Sequence, residues 1–136
     1  IFIYKNEYRR ALLIITSVAG ATAINLVIKS MFERARPDLW THLVHEAGYS
    51  FPSGHAMASS ALGLAIMVAL WNSRWRWWGA GFAGCYILFV GFSRLYLGVH
   101  YPSDIIAGWF VSGAWVLAVA LLMRSRFGHK ALLGLK

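Results

Sequence analysis

Four runs of mainly apolar residues, roughly 11–28, 56–71, 77–97 and 104–123, divide the chain. Each comes close to the length of about 20 apolar residues that a helix needs to cross a bilayer. None shows the polar–apolar alternation of a half-buried strand. Backbone N–H and C=O groups must be paired inside lipid, so runs of this kind are expected to be helical. The pattern predicts an all-α, polytopic transmembrane helix bundle with four spans. No linker is long enough to mark a second domain, and no repeat or low-complexity segment stands out.

Local signals refine the boundaries. Pro37 is expected to end the first helix, because a residue before proline avoids the helical region. Ser53 is a suitable N-cap for the second. Pro102 or Ser103 is placed to open the fourth. Trp71, Trp75, Trp77 and Trp78 crowd one short turn, as an interfacial aromatic belt would. Gly79, Gly81, Gly84 and Gly108 are candidate helix-packing positions. Cys85 lies inside an apolar run and is expected to be a small buried residue.

Composition agrees with a membrane protein. The 136 residues are 59% hydrophobic and 13% charged, against about 25% charged in soluble domains. The formal charge of +8 does not form a basic stripe, so nucleic acid is not an expected partner; the cations sit at the ends of apolar runs. The chain starts at Ile1, and Ile1-Phe-Ile-Tyr4 resembles the tail of a preceding apolar segment. Further sequence upstream is therefore expected. No cationic start leads into a short apolar stretch and a cleavage site, so no signal peptide is visible.

Three polar clusters interrupt this pattern: Lys29 to Arg36-Pro37; Phe51-Pro52-Ser53-Gly54-His55; and Ser93-Arg94 followed by His100 and Asp104. The first two lie between spans one and two, the third between spans three and four. Two crossings separate them, so all three face the same side. Nine of the thirteen cations (Lys5, Arg9, Arg10, Arg74, Arg76, Arg124, Arg126, Lys130 and Lys136) lie on the other side. Cytoplasmic flanks attract Lys and Arg, so the clusters are expected to face the periplasm, the cell exterior or a lumen. The membrane is expected to be the cell (inner or plasma) membrane.

The clusters suit phosphoryl chemistry. A phosphoryl group in transfer spreads negative charge over its oxygens, and catalysis is mostly positioning and charge stabilisation. Lys29, Arg36 and Arg94 are candidates for that work. Lys29 and Arg36 are seven apart and would share a face if the helix ran on. Ser53 and Gly54 open a helix, whose free N–H groups bind anions, and the Ser53 hydroxyl could cap the helix or contact phosphate. Asp104, four residues after His100, could take one imidazole N–H and leave the other nitrogen free to attack, which makes His100 a candidate nucleophile. His55 is then the candidate general acid. His42, His45 and Glu46 form a weaker rival set whose spacing would allow a metal. His129 is expected to be solvated.

At these positions the chain resembles the type-2 phosphatidic acid phosphatase family. Lys29, Arg36 and Pro37 match its first motif, Pro52 to His55 its second, and Ser93, Arg94, His100 and Asp104 its third, with no departure. The resemblance implies a membrane lipid phosphatase. It implies His100 as the phosphorylated nucleophile oriented by Asp104, His55 as the acid, and Lys29, Arg36, Ser53, Gly54 and Arg94 as phosphate ligands. It also implies no metal or other cofactor, and six spans in a full-length protein, two of them upstream of Ile1. The family's soluble vanadium haloperoxidases are disfavoured by the apolar spans. Residues 36–52 look most like bacterial phosphatidylglycerophosphatases of the B type and undecaprenyl diphosphate phosphatases. The expected partners are membrane lipids and a phosphorylated lipid substrate. Two other functions use the same pocket: phosphotransfer to a second lipid, and a carrier that only binds phosphate.

Overall fold

A computed structural model describes residues 8–38 and 46–127, with side chains through Arg124. Its elements are four helices: α1 (Tyr8–Phe32), α2 (Gly54–Leu70), α3 (Arg76–Tyr96) and α4 (Pro102–Phe127). No strand occurs among the described residues. α1, α3 and α4 are long and apolar enough to cross a bilayer. α2, with 17 residues, rises about 25 Å, the short end of the spanning range. It is the central helix, packed against the other three, while α1 also touches α4. Protein therefore surrounds much of it.

The helix starts follow the sequence closely. Ser53 caps α2 and its hydroxyl accepts from the Ala56 N–H, a contact of a kind that contributes about 1 kcal/mol. Pro102 opens α4. The end of α1 differs from expectation. The helix stops at Phe32, well before Pro37, because Glu33 turns left-handed at φ 44° and closes on the Lys29 carbonyl. A proline disfavours helix at the residue before it and cannot bond to the carbonyl four residues back, here Glu33. Residues 33–36 are instead drawn out of the helix by tertiary bonds. The Ser50 N–H donates to the Arg34 carbonyl at 2.8 Å, and its hydroxyl donates to the Ala35 carbonyl at 2.9 Å. Lys29 and Arg36 therefore do not share a helix face.

Small residues let the helices approach. Ala21, Ala61 and Ala65 are buried with Met57 and Val116, and Leu13, Ala69, Val119 and Met123 form a second cluster. Such packing suits helices in lipid, where apolar burial alone does not drive association. Of the glycines singled out above, Gly108 faces Ala56, Met57 and the Ser53 carbonyl, and Gly79 faces Leu70, but Gly81 and Gly84 face open space. Closer fits occur at Gly20 under Trp115, Gly63 under Ile87 and Gly91 under Trp109. Ser112 joins α4 to α2 by donating to the Met57 carbonyl at 2.9 Å. Cys85 is exposed, not buried. The buried face of α3 is the narrow one through Ala83 and Gly91, and Cys85 lies off it. The four tryptophans of the α2–α3 turn are exposed, with Arg74 over Trp75 and Arg76 over Trp77.

Candidate active site

The three clusters meet at one end of the bundle. A cavity of about 670 Å³ is lined there by Lys29, Arg36, Glu46, Gly54, His55 and His100, among others. Each element brings its share for a local reason. The last turn of α1 carries Lys29, whose ammonium donates to the Tyr49 carbonyl at 2.6 Å. The loop after α1 carries Arg36. The α2 N-terminus carries Gly54 and His55. It is steadied by the buried Asn25, about two turns before the end of α1, which donates to the Pro52 carbonyl at 3.1 Å. The end of α3 supplies Arg94, and the short turn into α4 supplies His100 and Asp104.

His100 and Asp104 are both buried. The carboxylate oxygen Oδ2 of Asp104 lies 3.3 Å from His100 Nδ1 and accepts the Tyr101 N–H at 2.9 Å. The other imidazole nitrogen, Nε2, points to the cations, 3.4 Å from Arg36 Nη1. The ring is thus held by one nitrogen and presents the other. Arg36 is anchored by the carbonyls of Gly48 and Val99, at 3.1 and 3.0 Å. Ser53 is fully buried and its hydroxyl serves as the α2 cap.

One residue sits here that the motifs did not mark. The Glu46 carboxylate lies 3.0 Å from Arg36 and 3.1 Å from Arg94. His55 Nδ1 and His100 Nε2 approach it at 3.6 and 3.7 Å. Burial alone would raise the Glu46 carboxyl, but Arg36 above all, with His55, His100 and Arg94, holds it below the usual carboxylate value. A group lowered in this way stays ionised at neutral pH, and its ion pairs are lost only as pH falls through that lowered value. Its two oxygens stand where two oxygens of a tetrahedral anion could take the same donors. The sequence offered Glu46 only as a member of the rival metal set with His42 and His45, not as a partner of the arginines. In the rival metal set, His42 and His45 lie outside the described residues, while Glu46 is engaged with the arginines. His129 is also outside them. No group of three or more metal-ligating side chains occurs among the described residues.

Comparison with known proteins now settles the lineage. The model of the PAP2 superfamily matches residues 10–127. The chain belongs to the PAP2 superfamily. It is 39% identical over 90 residues to phosphatidylglycerophosphatase B of Bacillus subtilis, covering 62% of this chain and 44% of that protein. It is 30% identical over 131 residues to an undecaprenyl-diphosphatase of Sulfolobus acidocaldarius, covering 92% of this chain and 60% of the relative. The crystal structure of a transmembrane PAP2-type phosphatidylglycerolphosphate phosphatase from Bacillus subtilis superposes with a TM-score of 0.80 at 29% identity. That match covers 91% of this chain and 63% of the other. This PAP2 chain is therefore a multi-pass, all-helical membrane protein that spans less than two thirds of these relatives.

Proposed function

We propose that this PAP2 protein is a membrane lipid phosphatase that hydrolyses a phosphomonoester or diphosphate through a phosphohistidine. The observation that carries the reading is the orientation of His100. Asp104 engages Nδ1, and Nε2 faces the Glu46 carboxylate, which is held by Arg36 and Arg94, the cations a phosphoryl group would need. In the first step Nε2 attacks phosphorus, and the bond from phosphorus to the lipid oxygen breaks. His55 delivers a proton to that departing oxygen. In the second step water attacks the phosphohistidine while His55 takes its proton, releasing orthophosphate and freeing His100. Lys29, Arg36, Arg94 and the α2 N-terminus at Ser53-Gly54 stabilise the equatorial oxygens. The relatives' names favour phosphatidylglycerophosphate or undecaprenyl diphosphate as substrate. All the cations placed for this chemistry are side chains, so no metal is required.

The test is phosphate release by the purified full-length protein from a panel of phosphorylated lipids, with and without EDTA. Release is expected to be unaffected by the chelator. Loss with EDTA and recovery with zinc or magnesium would replace this mechanism with a metal-assisted one. No release from any lipid would leave a binding protein, and phosphate appearing on a second lipid would make it a transferase.

We further propose that the site opens away from the cytoplasm, on the strength of the cation asymmetry. In a Cys85→Ser background, a membrane-impermeant thiol reagent added to intact cells is expected to label Asp38→Cys and to miss Ser73→Cys. Both should react after disruption. The reverse order would place the pocket in the cytoplasm.

A further inference from the structure

We propose that Arg34 is the positioning residue of the His100–Asp104 pair. The proposal rests on the phosphohistidine reading above. Arg34 lies two residues before Arg36 in the loop after α1, and their side chains serve different ends of one constellation. Arg36 enters the cavity. Arg34 is not among the residues lining it; it reaches across to the start of α4. There its Nη1 donates to Asp104 Oδ1 at 2.8 Å and to the Ser103 hydroxyl at 2.7 Å. Its guanidinium carbon stands 3.9 Å from the centre of the Tyr101 ring. Its own backbone is held by Ser50, so the side chain starts from a fixed point.

The two oxygens of Asp104 then have separate duties. Oδ2 faces His100 Nδ1 and the Tyr101 N–H, and Oδ1 faces Arg34. The carboxylate is fully buried. A buried charge with one oxygen unpaired is costly, and the carboxylate would turn or take a proton to relieve that cost. Either change loosens its hold on His100. A planar, bidentate-capable guanidinium stacked on an aromatic ring is a suitable lock, and a lysine would reproduce the charge without the fork or the stack. Arg34 falls between the fixed positions of the first motif, at one of the six unspecified residues separating Lys29 from Arg36.

Arg34→Gln is expected to lower kcat by about 10- to 100-fold, the range for outer partners that orient a ligating histidine. KM and competitive inhibition by orthophosphate should stay within about twofold of wild type, since no phosphate contact is removed. Arg34→Lys should recover part of kcat. In an Asp104→Asn background, Arg34→Gln should cause no further loss, because its route of action is already gone. Wild-type kcat in Arg34→Gln, weakened orthophosphate inhibition, or full multiplication of the two losses would each overturn the proposal. If Arg34→Gln does not fold, Ser103→Ala and Tyr101→Leu loosen the same guanidinium. A fall confined to kcat in at least one of them supports the lock, and wild-type kinetics in both overturn it. His100→Ala run in parallel separates the two levels. An active His100→Ala enzyme removes the phosphohistidine reading itself, whereas an inactive one beside a wild-type-like Arg34→Gln removes only Arg34's role.

Discussion

His100→Ala is expected to abolish turnover, because it removes the atom proposed to accept the phosphoryl group. Of the groups beside Nε2, Arg36 is a cation without a lone pair to offer, and the Glu46 carboxylate is held by Arg36 and Arg94. His55→Ala should behave differently. It leaves the nucleophile and the arginines intact and removes proton transfer, mainly delivery to the leaving oxygen and with it the later uptake from water, an effect of roughly 10²–10⁴-fold. The deficit should shrink on substrates whose leaving oxygen needs no proton, such as aryl phosphates. Wild-type enzyme given labelled substrate and quenched in alkaline detergent, where a phosphorus–nitrogen bond survives, should carry phosphohistidine, and His100→Ala should carry none. A His100→Ala enzyme that still turns over, with no phosphohistidine in the wild type, would reverse the assignment. His55 is half exposed, with 57% of its side chain open. That suits a group that must meet first a leaving lipid oxygen and then water.

The bundle was legible in the sequence because membrane helices announce themselves by length and composition, and because serine caps and proline starts act locally. The parity of the spans also placed the three clusters at one end before any coordinates, and the cavity joins them there. Other features depend on tertiary choices that spacing does not encode. The stop at Glu33 arises from competition between helical bonds and bonds to Ser50. The opposite destinations of Arg34 and Arg36 follow from that extended segment; on a helix, two residues apart would also have diverged, but toward other neighbours. Glu46 falls between motifs, and nothing in its spacing told whether it would face solvent, a metal or the arginines. Cys85 was misjudged because an apolar run in a membrane protein has a lipid face as well as a packed one.

Arg36→Ala is expected to cost about 10²–10³-fold in kcat/KM, the scale for removing one preorganised donor to a developing oxyanion. Arg36 Nη1 pairs with the Glu46 carboxylate, the position proposed for the phosphoryl oxygens, lies beside His100 Nε2, and is fixed by two backbone carbonyls. Its charge is therefore in place before the reaction begins. Vanadate, which adopts the five-coordinate geometry of the transition state, should inhibit the wild type competitively. Inhibition should weaken in Arg36→Ala, and in Arg94→Ala, in step with turnover. Equal vanadate affinity in both variants would remove the two arginines from the pocket. Glu46 supplies a control of opposite sign. Its carboxylate occupies the same arginines, so an incoming oxyanion must displace it or share them. Glu46→Gln keeps the shape and deletes the competing charge, and should tighten vanadate inhibition. Weaker inhibition in Glu46→Gln would mean that the carboxylate organises the arginines for the phosphoryl group instead of competing with it.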